Sequence, residues 1–167
     1  MRTLTLQEAR KRTGLDLLND RQIFFTDYVA GRFGTVADGQ KRMACRYPFH
    51  EEMVQEGKRF FAAKGYEIYP HGLTVNGSGT CPDFAAFRND RVIFVECLTS
   101  GWASVDVFKK KARLARYGKV AFIIEHPEFA ELPGAKRRRL TGRLAALSRI
   151  YPVFLYHPDR RALSRVK

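Results

Sequence analysis

Two strand-like runs on either side of a tight turn constrain this chain more than any other feature. Cys81-Pro82-Asp83-Phe84 leads into the first. Val92-Ile93-Phe94-Val95-Glu96-Cys97-Leu98 forms the second, and Arg88-Asn89-Asp90-Arg91 lies between them. β-Branched and aromatic residues bounded by turn formers read as a hairpin. If Asn89-Asp90 is a two-residue loop, Arg88 pairs with Arg91 and Phe87 with Val92. Carried back, that register puts Asp83 opposite Glu96 on one sheet face, with Cβ atoms about 4.5–5.5 Å apart. Carboxylates that close repel each other, and burial makes each harder to ionise. A divalent cation between them offsets both effects, so the pair reads as a metal site for hydrolytic chemistry.

The surrounding pattern predicts a helix over about 49–64 and a strand near Tyr66–Tyr69, then the hairpin. A helix over about 103–117, the strand Val120–Glu125, a helix over about 135–149 and the strand Pro152–His157 follow. A Pro-Asp at the head of one strand, an acid near the end of the next, and this order of elements together resemble the PD-(D/E)xK nuclease superfamily. The resemblance covers roughly residues 48–158. It implies an α/β fold with a restriction-endonuclease-like core, a central mixed sheet of four to five strands flanked by helices in αβββαβ order. Asp83 takes the place of the family's first acid and Glu96 that of its second. The Cys97 backbone carbonyl takes the place of a third donor, by the same resemblance. Such hard oxygen ligands suit Mg²⁺ or Mn²⁺ rather than zinc. The implied activity is metal-dependent endonucleolytic hydrolysis of DNA phosphodiester bonds, leaving a 5′-phosphate and a 3′-hydroxyl.

The chain departs from that pattern where the family's lysine stands, two residues after the second acid. Here the position is Leu98, which can neither donate a hydrogen bond nor stabilise charge. Some members of the superfamily supply the cation from the following helix. There Val105, Val107, Phe108, Ala112, Leu114 and Ala115 define an apolar arc. Lys111 falls inside the arc, and Lys109 and Lys110 flank it. Lys111 is therefore the expected catalytic substitute, its ordinary alternative being a side chain that snorkels past the sheet edge. The competing reading is a catalytically inactive nucleic-acid-binding module on a decayed nuclease fold. The family often adds an acid near the start of the first helix, and Glu51 is the expected counterpart. An acid in a first turn also complements the helix dipole without any catalytic role. His50 faces the apolar centre of that helix.

Charge supplies the second argument. The 167 residues carry 30 Lys and Arg against 17 Asp and Glu, a net +13, and the cations are clustered. Such blocks attract polyphosphate backbones through counterion release. The expected partner is nucleic acid, DNA ahead of RNA, with Lys109, Lys110, Arg113, Lys136, Arg137, Arg138 and Arg139 as contacts. The last four open a predicted helix, whose positive end suits phosphate. Cutting two strands often takes two active sites, so a homodimer is one expected assembly. No apolar run approaches the ~18 residues of a membrane span. With no signal-like N-terminus and only Cys45, Cys81 and Cys97, the expected location is cytoplasmic. Residues 1–45 are expected to form a helical N-terminal extension, with a helix over Leu4–Leu18, ahead of a nuclease-like α/β domain at 46–167. Gly72–Gly79 reads as a flexible loop at the mouth of the site, and Trp102 as a core residue or a base-stacking one.

Overall fold

The computed structural model describes residues 1–19, 48–78, 80–99, 108–109, 112–129 and 133–166. In chain order the elements are α1 (Leu6–Thr13), β1 (Leu17–Asn19), α2 (Pro48–Ala63), β2 (Glu67–Tyr69), β3 (Leu73–Val75), β4 (Phe84–Arg88) and β5 (Arg91–Leu98). A 3₁₀ turn (Ala112–Arg116), β6 (Lys119–Glu125), α3 (Gly134–Ser148), β7 (Val153–His157) and β8 (Ala162–Arg165) follow. A six-stranded sheet runs in the order β2-β4-β5-β6-β7-β8. It is mixed: β5, β6 and β7 are parallel, while β2, β4 and β8 join antiparallel. The α/β class and mixed sheet agree with the sequence reading. The sheet has one strand more than the four to five expected, because β8 folds back on β7 through a turn in which Arg161 takes a left-handed φ of 47°.

The central strands are apolar almost without interruption because both faces are covered. On one face α2 lays Met53, Val54 and Phe61 over Phe84, Ala86, Ile93, Val95, Cys97, Ala121 and Ile123. Gly57 permits this approach: a Cβ there would sit 2.5 Å from Ile123 Cδ1 and 3.0 Å from the Phe84 ring. The other face carries Ala85, Phe87, Phe94, Leu98, Phe122 and Ile124, covered by Ala9 of α1, by Phe108 and Leu114, and by Leu140 and Leu144 of α3.

At the N-terminus Thr5 and Glu8 form a capping box that starts α1. Gly14 ends it in the left-handed region, at φ 67°, so the helix expected to run to Leu18 stops at Thr13, five residues short. Leu17–Asn19 then pairs with Leu73–Val75 in a second, two-stranded sheet. The glycine-rich stretch read as a loop thus contributes β3, with Leu73 and Val75 buried. Leu4, Ala9 and Leu17 belong to the same apolar cluster as β4 and β5. Of the helix expected over 103–117, Phe108–Lys109, the 3₁₀ turn and Tyr117 are described, and residues 103–107, 110 and 111 lie outside the described residues. Among the described residues no helix is long and apolar enough to cross a membrane.

Candidate active site

The hairpin closes as its sequence requires. Arg88 pairs with Arg91 and Phe87 with Val92, and the ladder runs to Phe84 opposite Val95. Asp83 breaks the pattern. Its N–H donates to the Val95 carbonyl at 3.0 Å, although Phe84 already faces Val95. Two residues of one strand then oppose one of the other, the arrangement of a β-bulge, which re-aims the extra side chain. Asp83 therefore does not take the direct cross-strand position opposite Glu96 that uninterrupted counting gives it. The preceding Pro82 has no N–H and cannot carry the ladder further. In place of backbone, the Asp83 carboxylate extends the pairing: Oδ2 accepts the Cys97 N–H at 2.7 Å. Oδ1 lies 3.2 Å from Nε2 of His50, on α2.

Glu96 approaches the same end of the hairpin from the other side. It alternates with Val95 and Cys97, which face α2, and is 5% exposed. Both acids act on their common neighbours. Burial lowers the His50 pKa, but the Asp83 hydrogen bond and the charges of Asp83, Glu96 and Glu51 outweigh it, and the imidazolium is favoured beyond its usual range. Burial, followed by the negative charge of Asp83 and Glu96, pushes the Cys97 thiol well up. Cys97 is consequently a protonated core side chain, and its chemistry here is that of its backbone.

That backbone matters for metal binding. In a hairpin closed by Arg88 and Arg91, the odd-numbered residues of β5 turn both N–H and C=O toward β4. The Asp83 N–H is directed at Val95 and Pro82 has none, so neither residue at the head of β4 donates to the Cys97 carbonyl. The oxygens of Asp83, Glu96 and this carbonyl are hard donors, the type that suits Mg²⁺ or Mn²⁺, but Glu96 leaves β5 on the face opposite the one that Val95 and Cys97 turn to α2, while Asp83 meets His50 of α2. Among the described residues no three His, Cys, Asp or Glu side chains converge into a ready cage. A small protein donor set completed by water is the ordinary habit of Mg²⁺.

The α2 helix builds one wall of the site. His50, Glu51, Val54, Gln55 and Lys58 recur at helical spacing and line, with Asp83, a cavity of about 490 Å³. Lys58 is the functional candidate that sequence reasoning missed. It is only 7% exposed and close enough to act electrostatically on Cys97, beside Asp83 and Glu96. Read in the chain it is half of a basic doublet with Arg59. The spacing His50, Val54, Lys58 was the signal that could have put it on the stripe facing Asp83. Leu98, at the motif-lysine position, is a buried core residue.

The remaining candidates are dispersed. Glu51 is on the cavity wall but exposed, and it accepts from the Gln55 side-chain amide at 2.6 Å. Glu52 faces elsewhere and accepts the Tyr156 hydroxyl at 3.0 Å. Lys110, Lys111 and Trp102 lie outside the described residues. Lys109 and Arg113 are exposed, as are Lys136, Arg138 and Arg139, with Arg137 half-buried. The latter four occupy the first turns of α3, which has no side-chain cap at its N-terminus and packs on the sheet face opposite α2. No protein-family model matches the chain, and no curated protein matches it.

Proposed function

We propose that the chain is a metal-dependent nuclease that hydrolyses phosphodiester bonds in DNA, as the motif order implies through its resemblance to PD-(D/E)xK enzymes. The observation that carries the reading is the gathering of Asp83, His50 and a buried Lys58 around one cavity, with Glu96 near enough to act on His50. Asp83, Glu96 and the Cys97 carbonyl would hold the ion. Bound there, Mg²⁺ or Mn²⁺ lowers the pKa of coordinated water and offsets charge developing on the phosphate. Lys58 supplies the cation that Leu98 cannot, orienting the attacking water and stabilising the pentavalent transition state. His50, as an imidazolium, adds a donor for a non-bridging phosphate oxygen and keeps Asp83 aimed. Glu51 at the rim positions solvent. Lys111 is the second candidate for the catalytic cation.

The test is Mg²⁺-dependent cleavage of supercoiled, single-stranded, flap and junction DNA, with Asp83→Ala and Glu96→Ala as controls. Both substitutions should abolish cleavage, and activity surviving both would end the proposal. One observation favours a second reading, a binding module without activity: the motif-lysine position is filled by a buried leucine. That reading predicts DNA binding with no cleavage under any metal, whichever lysine is present.

A further inference from the structure

The far end of the same hairpin carries a second cluster that the proposed chemistry does not use. Arg88 and Arg91 are direct cross-strand partners. Like charges in that relation repel and destabilise a hairpin. Lys119 opens β6 opposite Ile93. Because alternate strand residues share a face, Arg91, Ile93 and Lys119 project to one side of the sheet. Tyr66, just ahead of β2, completes the wall, with the Arg88 guanidinium 5.8 Å from its ring centroid. These groups line a cavity of about 590 Å³ in which Asp90 is the one acid. Three cations against one carboxylate leave the cavity strongly positive. Among the described residues none of the three cations belongs to an ion pair.

We propose that this cavity binds a phosphate ester. Two arginines offer planar, forked donors that match phosphate oxygens, and lysine adds a point charge. Tyr66 supplies an aromatic face for the attached base or sugar. An anion seated between Arg88 and Arg91 turns their mutual repulsion into attraction for the ligand. The leading source is a nucleic-acid backbone, a choice that rests on the nuclease reading, whereas the phosphate site itself does not. The cavity lies five residues along β4 from Asp83, about 17 Å at strand rise. Duplex phosphates advance about 3.4 Å per strand step, so a strand held here would place its scissile bond about five phosphates away.

The test compares the triple variant Arg88→Gln/Arg91→Gln/Lys119→Gln with a charge-matched control, Arg149→Gln/Arg160→Gln/Arg165→Gln, drawn from exposed positions elsewhere. Fluorescence anisotropy of a labelled duplex oligonucleotide is recorded in EDTA across about 50–200 mM salt. Loss of up to three phosphate contacts should reduce the slope of log K against log salt by about 2–3 and weaken binding at least about tenfold at the low end, with the control nearly unchanged. A parallel titration with a nucleoside monophosphate separates the sources. If the monophosphate binds wild type and not the triple variant while oligonucleotide binding is unchanged, the site stands and its ligand is a free nucleotide. If the triple variant matches the control with both ligands, the proposal is overturned. Binding without metal is independent of cleavage, so this result and the fate of the nuclease reading are separate. Relief of the Arg88–Arg91 repulsion predicts a melting temperature at or above wild type, which shows that the variant folds.

Discussion

Lys58→Met is the most informative single substitution. Methionine keeps the apolar stem of a side chain that is 7% exposed and deletes its ammonium group. Two consequences for stability oppose each other. Removing a buried ammonium relieves a desolvation cost of several kcal/mol, and losing its attraction for the neighbouring acids offsets part of that, with His50 still 3.2 Å from Asp83. The net change in unfolding free energy should therefore be small, about 1 kcal/mol or less. Catalysis has no such cancellation. A positioned group that orients water and stabilises transition-state charge contributes about 10²–10⁴ in rate, or about 2.7–5.4 kcal/mol of barrier. The assay is single-turnover cleavage of plasmid DNA at saturating Mg²⁺, with DNA affinity measured in EDTA and folding checked by circular dichroism. The expected outcome is a rate loss of at least about a hundredfold with DNA affinity nearly unchanged. Lys58→Arg, which restores charge but not geometry, should recover only part of the rate. Cleavage by Lys58→Met within about threefold of wild type, together with its loss in Lys111→Ala, would refute the assignment and move the cation to the segment after β5.

Two glycine substitutions should have opposite signs. Gly57→Ala drives a Cβ to 2.5 Å from Ile123 Cδ1; overpacking of about 1–3 kcal/mol exceeds the helix-propensity gain of about 1, so thermal melts should show a net loss. Gly142→Ala, exposed on α3 with nothing within 4 Å of the added Cβ, should stabilise by about 0.5–1 kcal/mol. Glu67→Gln tests the clamp between the N-terminal segment and β2, where Arg12 and Arg2 both reach the Glu67 carboxylate. The Arg12 hydrogen bond lowers the Glu67 pKa, burial opposes it, and the charges of Arg12 and Arg2 add to the lowering. A lowered pKa gives stability that is present above the unfolded value of about 4.3 and lost as pH falls through the folded one. With its partners partly solvated, wild type should exceed Glu67→Gln by only about 0.5–1 kcal/mol at neutral pH. Denaturant titrations should show that gap closing in acid, and a gap unchanged by pH would contradict the clamp.

The hairpin register was legible because a two-residue turn between strongly β-forming runs leaves few ways to pair them. The bulge at Asp83 was not. It depends on Pro82 ending the ladder and on a carboxylate capturing the Cys97 N–H, and period-two counting assumes neither. Lys58 escaped notice because basic composition reads as solvent-facing until the helix is rotated against a real sheet, and Gly57 sets that rotation by touching Ile123 and Phe84. The edge strand β8 lacks an apolar run: Ala162–Arg165 is held by backbone pairing to β7 and by one partly buried side chain, Leu163, against the core. The end of α1 at Gly14 was signalled by the glycine itself, and Leu73 and Val75 alternated as a strand does. Both signals were short, and the helical pattern over Leu4–Leu18 and the glycines around β3 outweighed them.

The account stands on Asp83 and Glu96 serving one divalent ion, and Mn²⁺ binding followed by electron paramagnetic resonance tests that most directly. It predicts one ion per wild-type chain, displaced by excess Mg²⁺, with affinity reduced at least about tenfold by Asp83→Asn and by Glu96→Gln separately. Wild-type binding in both variants, or no binding in the wild type, would contradict it.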